Sequence, residues 1–281
     1  MSATMLDTKI RMKTIESTRK ITRAMYMLSS ARMKKASMLV DANRHHFLRV
    51  RAAIKDILAH SPNVNHPYLQ ARTGGMTAYI VISGDKGLCG GYNHNVLTYA
   101  VKRMPRDAHI FTVGYTARNY FRRHGWDIDI EFLNMATNPR LRHASQLSYD
   151  IMNLYDSEQL DEAYLIYTRF ENAALQYPYM IKLLPMGLAD YQDVQEDAEY
   201  RADMIYHPSV QTVFDTLVPQ YVTGQIFGAM VQSYASENRA RMVAMESSTS
   251  NADDMLANLK LEYNRARQYA ITQEIAEIVS S

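Results

Sequence analysis

The stretch of this 281-residue chain best equipped for chemistry is Gly84-Asp85-Lys86-Gly87-Leu88-Cys89-Gly90-Gly91-Tyr92-Asn93. It follows a strand-like run, TAYIVIS at Thr77–Ser83, and leads into a helix-like stretch at Asn93–Arg103. A glycine-rich turn from strand to helix is where backbone amides cradle nucleotide phosphates. The spacing here gives neither GxGxxG nor GxxxxGK followed by Ser or Thr. Glycines also permit tight turns and close backbone packing, and that use fits this spacing better. A phosphate cradle and a partner-contact loop stay open as alternatives.

Cys89 could act as a nucleophile, with His94 five residues on as its base. A dyad needs geometry that spacing alone does not supply, so a structural cysteine is the better reading. His45, His46, His60 and His66 fall into no metal-ligand spacing with a carboxylate run. A single cysteine can form neither an intrachain disulfide nor a zinc cluster. No cofactor and no metal are therefore expected.

Charge is distributed unevenly. Lys9–Lys35 holds nine basic residues against one acid, Glu16, whereas Asp190–Asp203 holds six acids and one base. The basic segment could neutralise nucleic-acid phosphates. Its charges lie on more than one helix face and no aromatic stacking platform is interleaved, so an acidic protein partner is expected and nucleic acid is not.

The elements that must carry these features are two very long helices around an α/β centre. Residues 4–59 contain no Pro and no Gly. Read in sevens, one position gives Ile10, Ser17, Ala24, Ala31, Met38, His45 and Ala52. The other gives Thr14, Ile21, Leu28, Lys35, Ala42 and Arg49. This seam is small and apolar first and polar later. From Ser209 onward the only proline is Pro219. A heptad series runs Leu217, Tyr221, Gly224, Gly228, Val231, Ala235, Asn238, Met242, Met245, Thr249, Ala252, Leu256, Leu259, Tyr263, Ala266, Ala270, Gln273. About 70 residues at 1.5 Å each span on the order of 105 Å, so part of this helix must stand clear of the body.

Between the helices, strand-like runs at Thr77–Ser83, Ala108–Val113, Ile128–Leu133 and Ala163–Thr168 alternate with helix-like stretches at Asn93–Arg103, Thr116–His124 and His143–Tyr155. That order implies βαβ units and a largely parallel, Rossmann-like sheet. Tyr179–Leu184 adds an edge strand, and Ala189–Asp203 is an acidic linker or a solvated surface. The expected organisation is a helix at 1–60, an α/β foot at 75–200 and a helix at 209–281, the two helices pairing as one antiparallel coiled coil. Hydrophobic residues at 47% speak for a folded chain. No apolar run is long enough to span a membrane. The first residues lack a secretory layout, and a reducing, cytoplasmic setting fits.

Three segments carry a resemblance. Ile10–Lys35 (IRMKTIESTRKITRAMYMLSSARMKK), the loop GDKGLCGGYN at Gly84–Asn93, and the pair Ala235–Glu246 (ASENRARMVAME) and Leu261–Val279 (LEYNRARQYAITQEIAEIV) closely resemble the gamma subunits of F-type ATP synthases, in the same order and over essentially the whole chain. The resemblance implies the central rotor stalk, without a catalytic site. Its coiled coil turns in a ring of three alpha and three beta subunits, and its foot binds epsilon and the membrane c-ring. It implies a peripheral protein on the cytoplasmic face of the cell membrane, serving ATP synthesis and ion transport.

By matched position, Lys20, Arg23 and Met25 face an acidic loop of the beta subunit. Arg239, Arg241, Arg265, Arg267, Gln268, Thr272 and Glu274 are shaft and catch positions. Ile271, Ile275, Ile278 and Val279 form an apolar bearing tip, and Met204, Tyr206 and His207 belong to the foot contact with epsilon and the c-ring. Two departures stand out. Val279-Ser280-Ser281 lacks the small-residue tail often found in the family, which shortens the expected reach into the collar. Met204-Ile205-Tyr206-His207-Pro208 replaces Tyr-Ile-Tyr-Glu-Pro, which makes the foot contact weaker or pH-sensitive. No cysteine-bearing insertion of the chloroplast type is present, so thiol regulation is not expected. No transit peptide is apparent, and a bacterial member is the simplest expectation.

Overall fold

A computed structural model describes residues 3–60, 66–172, 175–192, 207 and 209–280. Helix α1 (Ala3–His60) has 58 residues, and the last helix, α5 (Val210–Ser280), has 71. Both far exceed the usual helix of about 11–12 residues. With no breaker in 4–59, α1 runs unbroken, and the hydroxyls of Thr14, Ser17 and Thr18 fold back onto carbonyls four residues earlier. No helix among the described residues is long and apolar enough to cross a membrane.

The two helices run antiparallel. Arg19 Nη1 meets Asp253 Oδ1 at 2.8 Å, the Thr22 and Thr249 hydroxyls lie 2.7 Å apart, and the Phe47 ring stacks on Tyr221 with centroids 6.0 Å apart. Position rises along one helix as it falls along the other. By that register Ala3 lies opposite residue ~269, so the last ~11 residues of α5 continue alone for roughly 16 Å.

The heptad series proposed for α5 is correct: every member from Tyr221 to Ala270 is buried or half-buried, and only Gln273 is exposed. The series proposed for α1 is wrong. Ile10, Ser17, Ala24, Ala31, Met38, Thr14, Ile21, Leu28, Lys35, Ala42, Arg49 and Ala52 are all exposed, and nothing is described of the His45 side chain. The true seam passes through Thr8, Thr22, Ser29, Ala36, Val50 and Ile57, with Met5 and Ile54 on its second row. It is small and polar toward the tip and apolar toward the foot, the reverse of the expectation. Small seam residues let two backbones approach closely. Cysteines at Thr22 and Thr249, in a Cys89→Ser background, are expected to close a disulfide on mild oxidation. Loss of both free thiols by mass measurement checks this, and persistent thiols would contradict the register.

The foot is a five-stranded sheet of order β3-β2-β1-β4-β5. Its strands are β1 (Met76–Ile82), β2 (His109–Val113), β3 (Ile130–Phe132), β4 (Leu160–Phe170) and β5 (Gln176–Leu184). The first four are parallel, and β5 joins β4 antiparallel as the edge. The expected strands and helices are present, with β4 and β5 longer at both or one of their ends. Helices α2 (Tyr92–Arg103) and α3 (Tyr115–Arg123) cover one face through Val96, Leu97, Ala100 and Phe121. Helix α4 (Leu141–Asp156) and the base of the α1/α5 pair cover the other, through Leu147, Ile151, Ile54, Ile57, Phe214 and Val222. Of the expected acidic linker, Leu188–Tyr191 is a short 3₁₀ turn with Tyr191 fully buried, and its remainder lies outside the described residues.

Candidate functional site

In a parallel sheet of this order the chain reverses direction between β1 and β4: α2 and α3 lead outward on one face, and α4 returns on the other. Ligands of such sheets bind outside the carboxyl ends of the strands at this switch point. Here the crevice is filled by α5. Ser233 Oγ accepts the Thr168 N–H at 3.4 Å, and Ser236 Oγ donates to the Thr168 carbonyl at 3.4 Å. The Glu237 side chain lies against Gly84 so closely that a Cβ there would sit 3.0 Å from its carboxyl carbon. Arg241 Nη2 donates to Glu237 Oε1 at 2.5 Å and to the Gly87 carbonyl at 3.1 Å. Glu237 and Arg241 are both buried.

The glycine loop is tied up in this arrangement. Gly84 N–H donates to Asn93 Oδ1 at 2.8 Å, and the Asn93 amide reaches the Lys86 carbonyl at 3.4 Å and Cys89 Sγ at 3.3 Å. Asp85 accepts from Tyr115 N at 3.2 Å, Thr137 N at 3.0 Å and Thr137 Oγ1 at 2.7 Å. The paired Glu237 and Arg241 side chains thus fill the place a phosphate would occupy, and the Asp85 carboxylate beside it adds negative charge where positive potential would be needed. The loop braces the sheet against the helix. Gly84 meets the close-packing reading and Gly90, at φ +53, the tight-turn reading, whereas a Cβ at Gly87 would meet nothing within 4 Å. Cys89 is buried, and burial, with Glu237 nearby, pushes its thiol up from the ordinary value. A thiolate nucleophile is disfavoured there, and His94 stands exposed on α2.

Burial also raises the Glu237 carboxyl above its ordinary 4.5, with Arg241 opposing the shift. The folded chain therefore holds this proton more tightly than the unfolded one. The resulting stabilisation is complete below the ordinary value and is lost as pH rises through the raised one. Glu237→Gln removes that slope, so its urea midpoint relative to wild type should improve between about pH 4 and pH 8. A constant difference across that range would contradict the shift.

The remaining candidate residues distribute along the rod. Lys20 is exposed and pairs with Glu16 at 3.2 Å; Arg23 is exposed and Met25 half-buried. Arg239 is half-buried, and Arg265, Arg267, Gln268, Thr272 and Glu274 are exposed on α5, Thr272 Oγ1 donating to the Gln268 carbonyl at 2.9 Å. At helical spacing they interleave with Ile271, Ile275, Ile278 and Val279, all exposed. Arg241 differs from its expected placement on a partner surface, being directed inward at Gly87. His207 is exposed, and Met204 and Tyr206 lie outside the described residues. Glu237, Ser233, Ser236 and Thr137 were missed. The Glu237–Arg241 spacing of four within ASENRARM was the one signal that could have found the pair.

A chain whose own helix plugs the ligand crevice of its sheet and then runs on as a two-helix rod is a shaft-and-foot structural protein. The family model described as ATP synthase matches residues 4–281. The ATP synthase gamma chain of Alkaliphilus metalliredigens is 41% identical over 283 residues, covering 100% of this chain and 98% of the relative. That of Acetivibrio thermocellus is 40% identical, covering 97% and 96%. A rotor chain of the Euglena gracilis mitochondrial ATP synthase superposes with a TM-score of 0.69 at 17% identity, covering 96% of this chain and 100% of that one, which shows a shared fold. The chain belongs to the ATP synthase gamma chain family.

Proposed function

We propose that this chain is the central rotor shaft of an F-type ATP synthase, coupling ion-driven turning of a c-ring to the catalytic sites of a ring of three alpha and three beta subunits. It carries no catalytic site of its own. The observation that supports this best is the surface of α1. Leu6, Ile10, Ile21, Leu28 and Met38 form a stripe at helical spacing facing away from α5, each more than half exposed. Apolar rows of this extent call for a covering partner. A two-helix rod has no three-fold symmetry, so at any angle it touches three sleeve subunits differently and favours different nucleotide states.

In this reading Lys20, Arg23 and Met25 meet an acidic loop of beta. Arg239, Arg265, Arg267, Gln268, Thr272 and Glu274 contact the sleeve, and the apolar tip turns in a collar without directional bonds that would stall it. The foot, with Met204, Tyr206 and His207, binds epsilon and the c-ring. Nucleic acid has no part, and the membrane is reached only through the c-ring, on its cytoplasmic face.

The test is Ile21→Asp with Leu28→Asp. Both side chains are exposed, so the stability of the isolated chain should stay within about 0.5 kcal/mol. Recovery of the chain in a complex with alpha and beta should fall by about tenfold or more, a cost of only ~1.4 kcal/mol at the interface. Unchanged assembly would remove the stripe from the interface, and ATP turnover by the pure chain would count against the reading as a whole.

A further inference from the structure

The joint between foot and shaft has a feature the family assignment does not explain. Most of the base of α5 is held by Phe214, Val218, Val222, Ile226 and Met230, all buried in the foot's core. Apolar packing is non-directional, so a helix seated only in such a groove resists rolling about its axis and sliding along it poorly. At the base, His66 Nε2 contacts Asp215 at 2.9 Å. Further directional contacts come at the carboxyl end of the sheet, where Ser233 and Ser236 bond Thr168 and Arg241 bonds the Gly87 carbonyl. Among the described residues and contacts, Arg241 is the last position at which α5 is seen bonded to the foot; immediately beyond it Val243, Glu246 and Ser247 are exposed. From Phe214 to Arg241 the helix climbs on the order of 40 Å, so a bond at Arg241 acts with a long lever arm against tilting.

We propose that Glu237 and Arg241 form a torque-bearing staple that fixes the angle at which the shaft leaves the foot. The contacts form a continuous path. Thr137 and the Tyr115 amide, both beyond the carboxyl ends of strands, grip Asp85. Two residues on, the Gly87 carbonyl receives Nε of Arg241 at 3.4 Å and Nη2 at 3.1 Å. Glu237, one turn below, holds the guanidinium in the orientation that aims both donors at this single carbonyl. A built Cβ at Gly87 meets nothing within 4 Å, so the loop tip has space around it and Arg241 supplies the tie to the shaft. These residues act through position and touch no reacting group. The motor consequence rests on the rotor reading above; the geometric consequence does not.

The experiment uses the full chain with spin labels on cysteines at Lys102 of the foot and Ser250 of the shaft, both exposed, in a Cys89→Ser background. The informative variant exchanges the pair, Glu237→Arg with Arg241→Glu. It keeps an acid and a base four residues apart but turns a carboxylate toward the Gly87 carbonyl. A pair that matters only for burial survives the exchange, and a tie to the loop does not. The width of the label distance distribution is expected to at least double. In membrane vesicles carrying the assembled complex, protons pumped per ATP hydrolysed are expected to fall clearly below the wild-type ratio.

Arg241→Lys, with one donor group in place of two, should fall between wild type and the exchange on both readouts. If the exchanged chain does not fold, Arg241→Gln is judged by the same measurements. An unchanged width overturns the staple, and a doubled width with unchanged pumping overturns its torque-bearing role. A wild-type chain absent from any pumping complex overturns the rotor reading instead, and the label widths still decide the geometry.

Discussion

Gly114→Val is expected to cost the folded foot about 3 kcal/mol or more, because two penalties act at one atom. Gly114 links β2 to α3 at φ +101, a conformation that side chains with a Cβ adopt only under strain of about 1–3 kcal/mol. A Cβ built there would lie 2.5 Å from the Ser83 carbonyl and 3.1 Å from that of Gly84. Neither can retreat freely. Ser83 N–H donates to the Val113 carbonyl at 2.9 Å, the Gly84 carbonyl accepts from Thr116 N at 3.2 Å, and Ser83 Oγ accepts the Ala117 N–H at 2.8 Å. Relief of the clash must therefore break the end of the β1–β2 ladder or unseat the start of α3. It would also move Gly84 off Glu237, so the damage reaches the shaft joint. Urea unfolding of the full chain followed by circular dichroism checks this. A loss below about 1 kcal/mol would show that the turn relaxes without disturbing the sheet.

The order and type of elements were legible because each signal was local and strong. Breaker-free runs mark the two long helices, and β-branched and aromatic runs such as TAYIVIS and AYLIYT mark central strands. The seam of α5 was also legible, since Val231, Met242, Leu256 and Leu259 leave only one continuous apolar row in the upper half of that helix. The seam of α1 was not. That helix carries two rows at heptad spacing, and the row containing Ile10, Ile21, Leu28 and Met38 is the more apolar. The buried row holds Thr8, Thr22 and Ser29. A hydrophobicity rule picks the face with more apolar side chains, whereas the upper part of this hairpin places Thr22, Ser29 and Ala36 in the intramolecular contact and leaves Ile21, Leu28 and Met38 outside. Only toward the foot do large residues such as Val50, Ile54 and Ile57 fill the seam.

The crevice failed for a related reason. A glycine-rich loop after the first strand is a local signal, but what fills the space above it comes from about 150 residues further along the chain, and no local pattern reports a contact of that separation. Arg241 was placed on the partner surface by matched position in the family's C-terminal helix, and arginine is seldom buried. Its partner Glu237 and the Gly87 carbonyl are what make burial tolerable.

The other large effect belongs to the opposite end of the joint. Phe214 is fully buried where α5 enters the foot, its ring centroid 5.0 Å from that of His66. His66 itself is buried, accepts the Tyr68 N–H on Nδ1 at 3.3 Å and contacts Asp215 through Nε2 at 2.9 Å. Ile54 and Ile57 of α1 lie in the same core. Phe214 thus joins the end of one long helix, the start of the other and the sheet. Phe214→Ala should cost about 3–5 kcal/mol, the transfer loss and the cavity adding because three elements cannot all collapse inward.

Leu256→Ala makes the informative comparison. Leu256 is buried in the seam of the upper shaft, where only one other helix surrounds it and solvent can follow the side chain out, so its loss should be nearer 2 kcal/mol, the lower end for such truncations. Urea midpoints of the two variants measure the difference. Equal losses would mean that the rod is held as tightly along its free length as at its root, and that the foot does not anchor it.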